Sequence, residues 1–188
     1  MAPFNVKRVA VVFYEIKKGL LGGLGYMYDI GDKVVYPMHG AGIIESIEKK
    51  EIMGELKDYY VLRIPVGDMM VMVPVDKADE VGLREVIKEN EADNVLKEFK
   101  IYREEHDNNW NKRYRENMIK IKSGDIYEVV KVVKSLMYRE MEKGLSTGEH
   151  KMLSNAKQIL ISELVVAKKK EKEEIEKIMT EIIKDELA

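Results

Sequence analysis

Trp110 is the only tryptophan of the chain, and cations crowd the segment that follows it: Lys112, Arg113, Arg115, Lys120 and Lys122, against Glu116 alone. The local charge from 110 to 122 is +4 by count. Basic side chains neutralise phosphates, and an aromatic ring can stack on a base or wedge into a base step. The chemistry on offer is nucleic-acid contact. A competing reading makes Trp110 the head of an apolar stripe with Tyr114, Met118 and Ile121, which would bury it. Because tryptophan is highly buried on average, the residues alone favour that reading, although the first helical turn behind an Asn108-Asn109 cap makes exposure easy.

No catalytic set assembles beside it. His39, His106 and His150 lie in three separate segments, and no H-E-x-x-H, G-x-S-x-G, P-loop or paired-carboxylate motif occurs. Glu104-Glu105-His106-Asp107 is dense in acid, but four consecutive residues cannot all turn to one ion from a helix, so it reads as a solvated loop. The glycines of 19–25 lack the order of a phosphate loop. Gly40-Ala41-Gly42 lacks the third glycine and the helix of a dinucleotide fingerprint. No cofactor or metal is expected, and no enzyme.

Around Trp110, helical periodicity runs from Leu83 to the end. It predicts short helices over Leu83–Asn90 and Glu91–Tyr102, a helix from Trp110 to about Ile121, and one opened by Asp125 with Glu128 three residues on. A long helix is opened by the Ser146-Thr147-Gly148-Glu149 capping box. A final amphipathic stripe, Ile175 to Ile183, either packs back or frays. Before Leu83 the pattern is β: Asp32–Tyr36, Ile43–Lys50, Tyr59–Ile64 and Met69–Pro74, separated by Gly and Pro turns. The strand Met69–Pro74 carries methionine on both faces, so the next domain or another protein is expected to cover its outer side. The fold class is therefore α+β: a small all-β module over 27–82, then a compact helical domain over 83–188.

Residues 1–26 fit neither part. They lack the uninterrupted apolar core of a signal peptide. Glycine codons begin GG, so Gly22-Gly23 implies a purine-rich stretch just upstream of the Met27 codon, where a bacterial ribosome-binding site would lie. The segment reads as translated leader with the native start at Met27; the alternative is a docked strand, Val9–Phe13.

Composition sets the outer limits. The chain has 188 residues, no cysteine, 32 Lys plus Arg and 34 Asp plus Glu, for a net charge of -2. That excludes disulfide frameworks and thiolate sites, and fits a cytoplasmic protein. No run approaches the roughly 18 apolar residues of a membrane span, so no membrane role is expected. The near-neutral total conceals an acidic stretch, 85–107, of local charge -4 beside the basic 110–122. Such a protein is not expected to hold DNA tightly by itself.

Several stretches in order resemble the CarD/CdnL family of bacterial RNA polymerase-binding transcription regulators. They are IGDKVVYPMHGAG (Ile30–Gly42), IMGELKDYYVL (Ile52–Leu62), NWNKRY (Asn109–Tyr114), SGD (Ser123–Asp125) and GLSTGEHKML (Gly144–Leu153). The resemblance covers about 27–165. It implies a Tudor-like module that binds the polymerase β subunit, of the type shared with the transcription-repair coupling translocase. It also implies a helical domain that contacts promoter DNA at the upstream edge of the melted bubble. The family's minor-groove wedge falls on Trp110, with DNA contacts expected at Lys112, Arg113, Arg115, His150 and Lys151. The polymerase-facing positions fall on Lys50, Ile52, Met70 and Met72; at Met72 a methionine replaces a basic residue of the family. Polymerase and promoter DNA are the expected partners of a monomer. The alternative function is a protein–protein interaction module without a DNA role.

Overall fold

The computed structural model describes residues 27–103 and 109–187. The readings made for residues 1–26 and for the acidic cluster 104–107 lie outside the described residues.

The β runs form one antiparallel sheet. Its strands are β1 (Lys33–Tyr36), β2 (Gly40–Ile52), β3 (Glu55–Ile64), β4 (Met69–Pro74) and β5 (Arg84–Glu85), in the order β4-β3-β2-β1-β5. Period-two alternation turns Val34, Ile44, Tyr60, Leu62 and Val73 to one side, where Tyr28 and Leu83 complete a core. The β2–β3 hairpin closes on Met53 and Gly54, both with positive φ (55° and 83°), as a two-residue turn requires. A bulge between Ile44 and Ser46 bends the long pair, and the extra residue, Glu45, reaches Arg63 at 2.5 Å.

Five helices follow: α1 (Glu89–Ile101), α2 (Trp110–Lys122), α3 (Ile126–Glu142), α4 (Thr147–Lys168) and α5 (Lys172–Leu187). Asn109 caps α2 by accepting from the Lys112 N–H, and Asp125 caps α3 by accepting from that of Tyr127. The capping box expected from Asp125 and Glu128 does not form, because Glu128 pairs with Lys131 at 2.6 Å instead. The Ser146–Glu149 box opens α4 as expected. The final stripe packs back: Ile175, Met179 and Ile183 are fully buried. There the buried Lys134 lies 5.1 Å from the Phe99 ring and pairs with Glu186 of α5; burial pulls its ammonium below the ordinary lysine value. The α+β class expected from the pattern is the one observed.

The helix expected over Leu83–Asn90 is absent. Arg84 and Glu85 instead pair with Val35 and Val34, continuing the sheet past residue 82. Tertiary partners override the helical pattern here. Glu163, fully buried on α4, takes the Arg84 guanidinium at 2.6 and 2.9 Å and accepts from the Ile87 N–H at 3.2 Å. Arg84 also donates to the Gly124 carbonyl in the α2–α3 turn, at 3.0 Å.

Helix α4 lies against the root of the sheet. Val166 packs on Val35 and Ala41, Ser162 Oγ accepts from the Ala41 N–H at 2.8 Å, and Lys33 Nζ donates to the Val166 carbonyl at 3.1 Å. Gly40 is required here on two counts: its φ is 110°, and a Cβ would stand 2.4 Å from Ser162 Oγ. The helical unit thus meets the sheet at β1, at the start of β2 and at the β3–β4 turn, where Val66 is buried in the helical core. Among the described residues no helix is long and apolar enough to cross a membrane, and no group of acids and histidines could hold a metal.

Candidate nucleic-acid and partner interfaces

The N-termini of α2 and α4 meet, which places two ends of positive helix dipole side by side. Trp110 stands at this meeting point with 42% of its surface exposed. Its Nε1–H donates to Ser146 Oγ at 3.1 Å, its ring stacks on Tyr114 with centroids 5.4 Å apart, and its edge lies over Gly148. The stripe expected to bury Trp110 starts one turn later, since Ile121 is buried and Tyr114 and Met118 are half-buried. The sole tryptophan is a solvent-facing plate held from behind.

The cations around it divide. Lys112 and Arg115 are exposed on α2, and Lys151 is exposed on α4 one turn beyond Gly148. Arg113 departs from the expectation. Its side chain is 12% exposed and donates through Nη2 to Glu149 Oε1 at 2.9 Å. Arg113 and Arg115 are two residues apart, about 200° around a helix, so they cannot share a face. His150 keeps an exposed ring but turns Nδ1 to Glu140 at 3.2 Å, which occupies it locally.

Glu149 organises the back of this site. It accepts from the Ser146 N–H and hydroxyl at 3.0 and 2.8 Å and holds Arg113. Burial pushes its carboxyl up, but Arg113 and Ser146 together outweigh that and hold it below its ordinary value of 4.5. A depressed carboxylate contributes stability that is complete above the ordinary value and is lost as pH falls through the folded one. We expect Glu149→Gln to lower the urea midpoint near neutral pH by the equivalent of about 3 kcal/mol. We also expect the variant to lose less than the wild type on acidification below 4.5. Parallel loss in both proteins across that range would exclude this role.

The second surface is the open part of the sheet. Register places Met72 opposite Val61, Met70 opposite Arg63, Lys50 opposite Lys57 and Ile52 opposite Glu55. Residues facing each other across a pair share a side, so Lys50, Ile52, Met70 and Met72 lie on one face. Met70 is 50% and Met72 43% exposed. Among the described residues β4 is also an outermost strand, paired only with β3. All four residues expected from the resemblance thus lie on one face, but in two places: Met70 and Met72 on the outer strand β4, and Lys50 and Ile52 toward the far end of the β2–β3 hairpin.

Sequence reasoning missed the Trp110–Ser146 bond and the inward turn of Arg113. The S-x-x-E box was visible, but its contact with a ring 36 positions away has no local signal.

Comparison with known proteins accounts for both modules. Residues 28–87 match the family model described as CarD-like/TRCF RID domain, and residues 91–180 the one described as CarD, C-terminal domain. The chain is 44% identical over 142 residues to a Bacillus subtilis (strain 168) protein named "Putative transcription factor YdeB", covering 76% of this chain and 93% of that one. A solution NMR structure of the 72-residue N-terminal domain of Myxococcus xanthus CarD is 31% identical, covering 34% of this chain and 85% of that one, with a TM-score of 0.29. With both family modules present in order, and a relative this similar along nearly its whole length, the chain belongs to the CarD/CdnL family of transcription regulators.

Proposed function

We propose that this chain docks on the β subunit of RNA polymerase through the outer face of its sheet and stabilises the promoter open complex by setting Trp110 against DNA at the upstream edge of the bubble. The observation that carries the reading is the exposed, rear-anchored indole at the joined N-termini of α2 and α4. A ring presented this way can occupy a base step that melting has already opened, where no unstacking cost remains, and so oppose reannealing. Lys112, Arg115 and Lys151 supply phosphate contacts around it. A protein that binds the open complex better than the closed one shifts the equilibrium by that difference in affinity.

The net charge of -2 fits this arrangement. Tethering through polymerase raises the local concentration of the DNA-facing surface, so a small cationic patch suffices. For the polymerase side, the outer edge of β4, unpaired among the described residues, offers backbone groups for strand addition, and Met70 and Met72 offer an adaptable apolar surface. The direct test is the lifetime of open complexes formed by cognate polymerase with and without the protein; an unchanged lifetime refutes the reading. We expect Lys50→Glu or Met72→Glu to weaken capture of the polymerase β subunit about tenfold or more, since a charge buried unpaired in an interface is strongly penalised. Capture indifferent to both changes would remove this face from the interface.

A further inference from the structure

We propose that Ser146 is a positioning residue for Trp110, holding the indole in its DNA-facing orientation; this rests on the wedge role proposed above. The contacts leave the hydroxyl one way to be used. Ser146 Oγ donates its hydrogen to Glu149 Oε2 at 2.8 Å, so its lone pairs face the Glu149 N–H at 3.3 Å and the Trp110 Nε1–H at 3.1 Å. Glu149 is fixed in turn by Arg113, one turn along α2 from Trp110. The chain of bonds therefore leaves α2 at Trp110, crosses to α4 through Ser146 and Glu149, and returns to α2 at Arg113. Charge on Glu149 polarises the hydroxyl and strengthens it as an acceptor for the indole.

This gives the capping residue a requirement that capping alone does not impose. Asp and Asn cap a helix as well as Ser does. Here the residue must also accept from an indole while donating to a carboxylate, which a hydroxyl does and an aspartate carboxylate does not. Tyr114 supports one face of the ring, while Gly148 leaves room beneath it: a Cβ there would sit 3.6 Å from Trp110 Cζ2, ordinary contact distance.

The chain has one tryptophan, so its fluorescence reports on this ring alone. Ser146→Gly keeps the helix start within a few tenths of a kcal/mol but deletes the acceptor; Ser146→Thr restores a hydroxyl. For Ser146→Gly we expect lower indole anisotropy, stronger acrylamide quenching and an open-complex lifetime shortened about three- to tenfold, the value of one hydrogen bond. Far-UV circular dichroism should be unchanged, and Ser146→Thr should recover both signals. Unchanged anisotropy and quenching in Ser146→Gly overturns the positioning role, as does a full lifetime despite a loosened ring. If Trp110→Ala itself leaves the lifetime intact, the wedge reading fails, and the fluorescence of Ser146→Gly still decides whether the hydroxyl holds the ring.

Discussion

Trp110→Ala should abolish most of the open-complex stabilisation while leaving polymerase capture unchanged. The expected size follows from stacking. An aromatic ring against a base is worth about 1–3 kcal/mol on truncation, so the lifetime gain conferred by the protein should fall about 5- to 150-fold. Folding should hardly change, because 42% of the ring is exposed and the helix start is secured by Asn109 and not by the indole. Polymerase capture should persist because Lys50, Ile52, Met70 and Met72 lie on the sheet, on a surface separate from the α2–α4 junction. Trp110→Phe keeps a ring but removes the donor to Ser146, and should fall between wild type and alanine. A lifetime equal to wild type with Trp110→Ala, in protein that still captures polymerase, would remove DNA wedging from the function. The interaction-module alternative would then stand.

Much of this was readable from residue pattern, and the exceptions share a cause. Local signals sufficed where structure is local. Beta-rich runs between Gly and Pro turns marked β1 to β4, and the S-x-x-E box marked the start of α4. The Met-rich strand advertised an uncovered face, and the fold leaves Met70 and Met72 open there. Contacts distant in sequence were not readable. Arg84-Glu85 sits in a helical pattern yet becomes a strand, because Glu163, 79 positions later, captures the arginine. Arg113 belongs to a basic cluster by count, but it faces inward because Glu149, 36 positions later, is a buried acid needing a partner. In each case a buried carboxylate on α4 recruits a cation from another element. Charge counting along the chain cannot separate such a structural cation from one facing solvent.

That dependence on buried carboxylates sets a large expected loss of stability at Glu163→Ala. Glu163 is fully buried and holds both terminal nitrogens of Arg84 together with the Ile87 N–H. Removing the acid strands a guanidinium and a backbone donor at the joint between sheet and helices. Breaking a buried pair in this way costs about 3–5 kcal/mol, and the solvent access that Arg84 retains argues for the lower end. The urea midpoint should fall accordingly. Arg84→Lys should also lose stability, since an ammonium cannot reproduce the two-pronged contact or reach Gly124 as well. The functional consequence differs from that of Trp110→Ala. In the proposed function, tethering raises the local concentration of the wedge most when the joint between the two modules holds them at the span the complex requires, and a looser joint lowers it. Ser162 and Lys33 remain to hold the joint, so folded Glu163→Ala should still capture polymerase but shorten the open-complex lifetime, and its tryptophan anisotropy should stay near wild type because the α2–α4 junction is untouched. A lifetime equal to wild type in folded, destabilised Glu163→Ala would mean that a loose connection is enough. A midpoint equal to wild type would mean that the Arg84–Glu163 pair does not hold the two modules together.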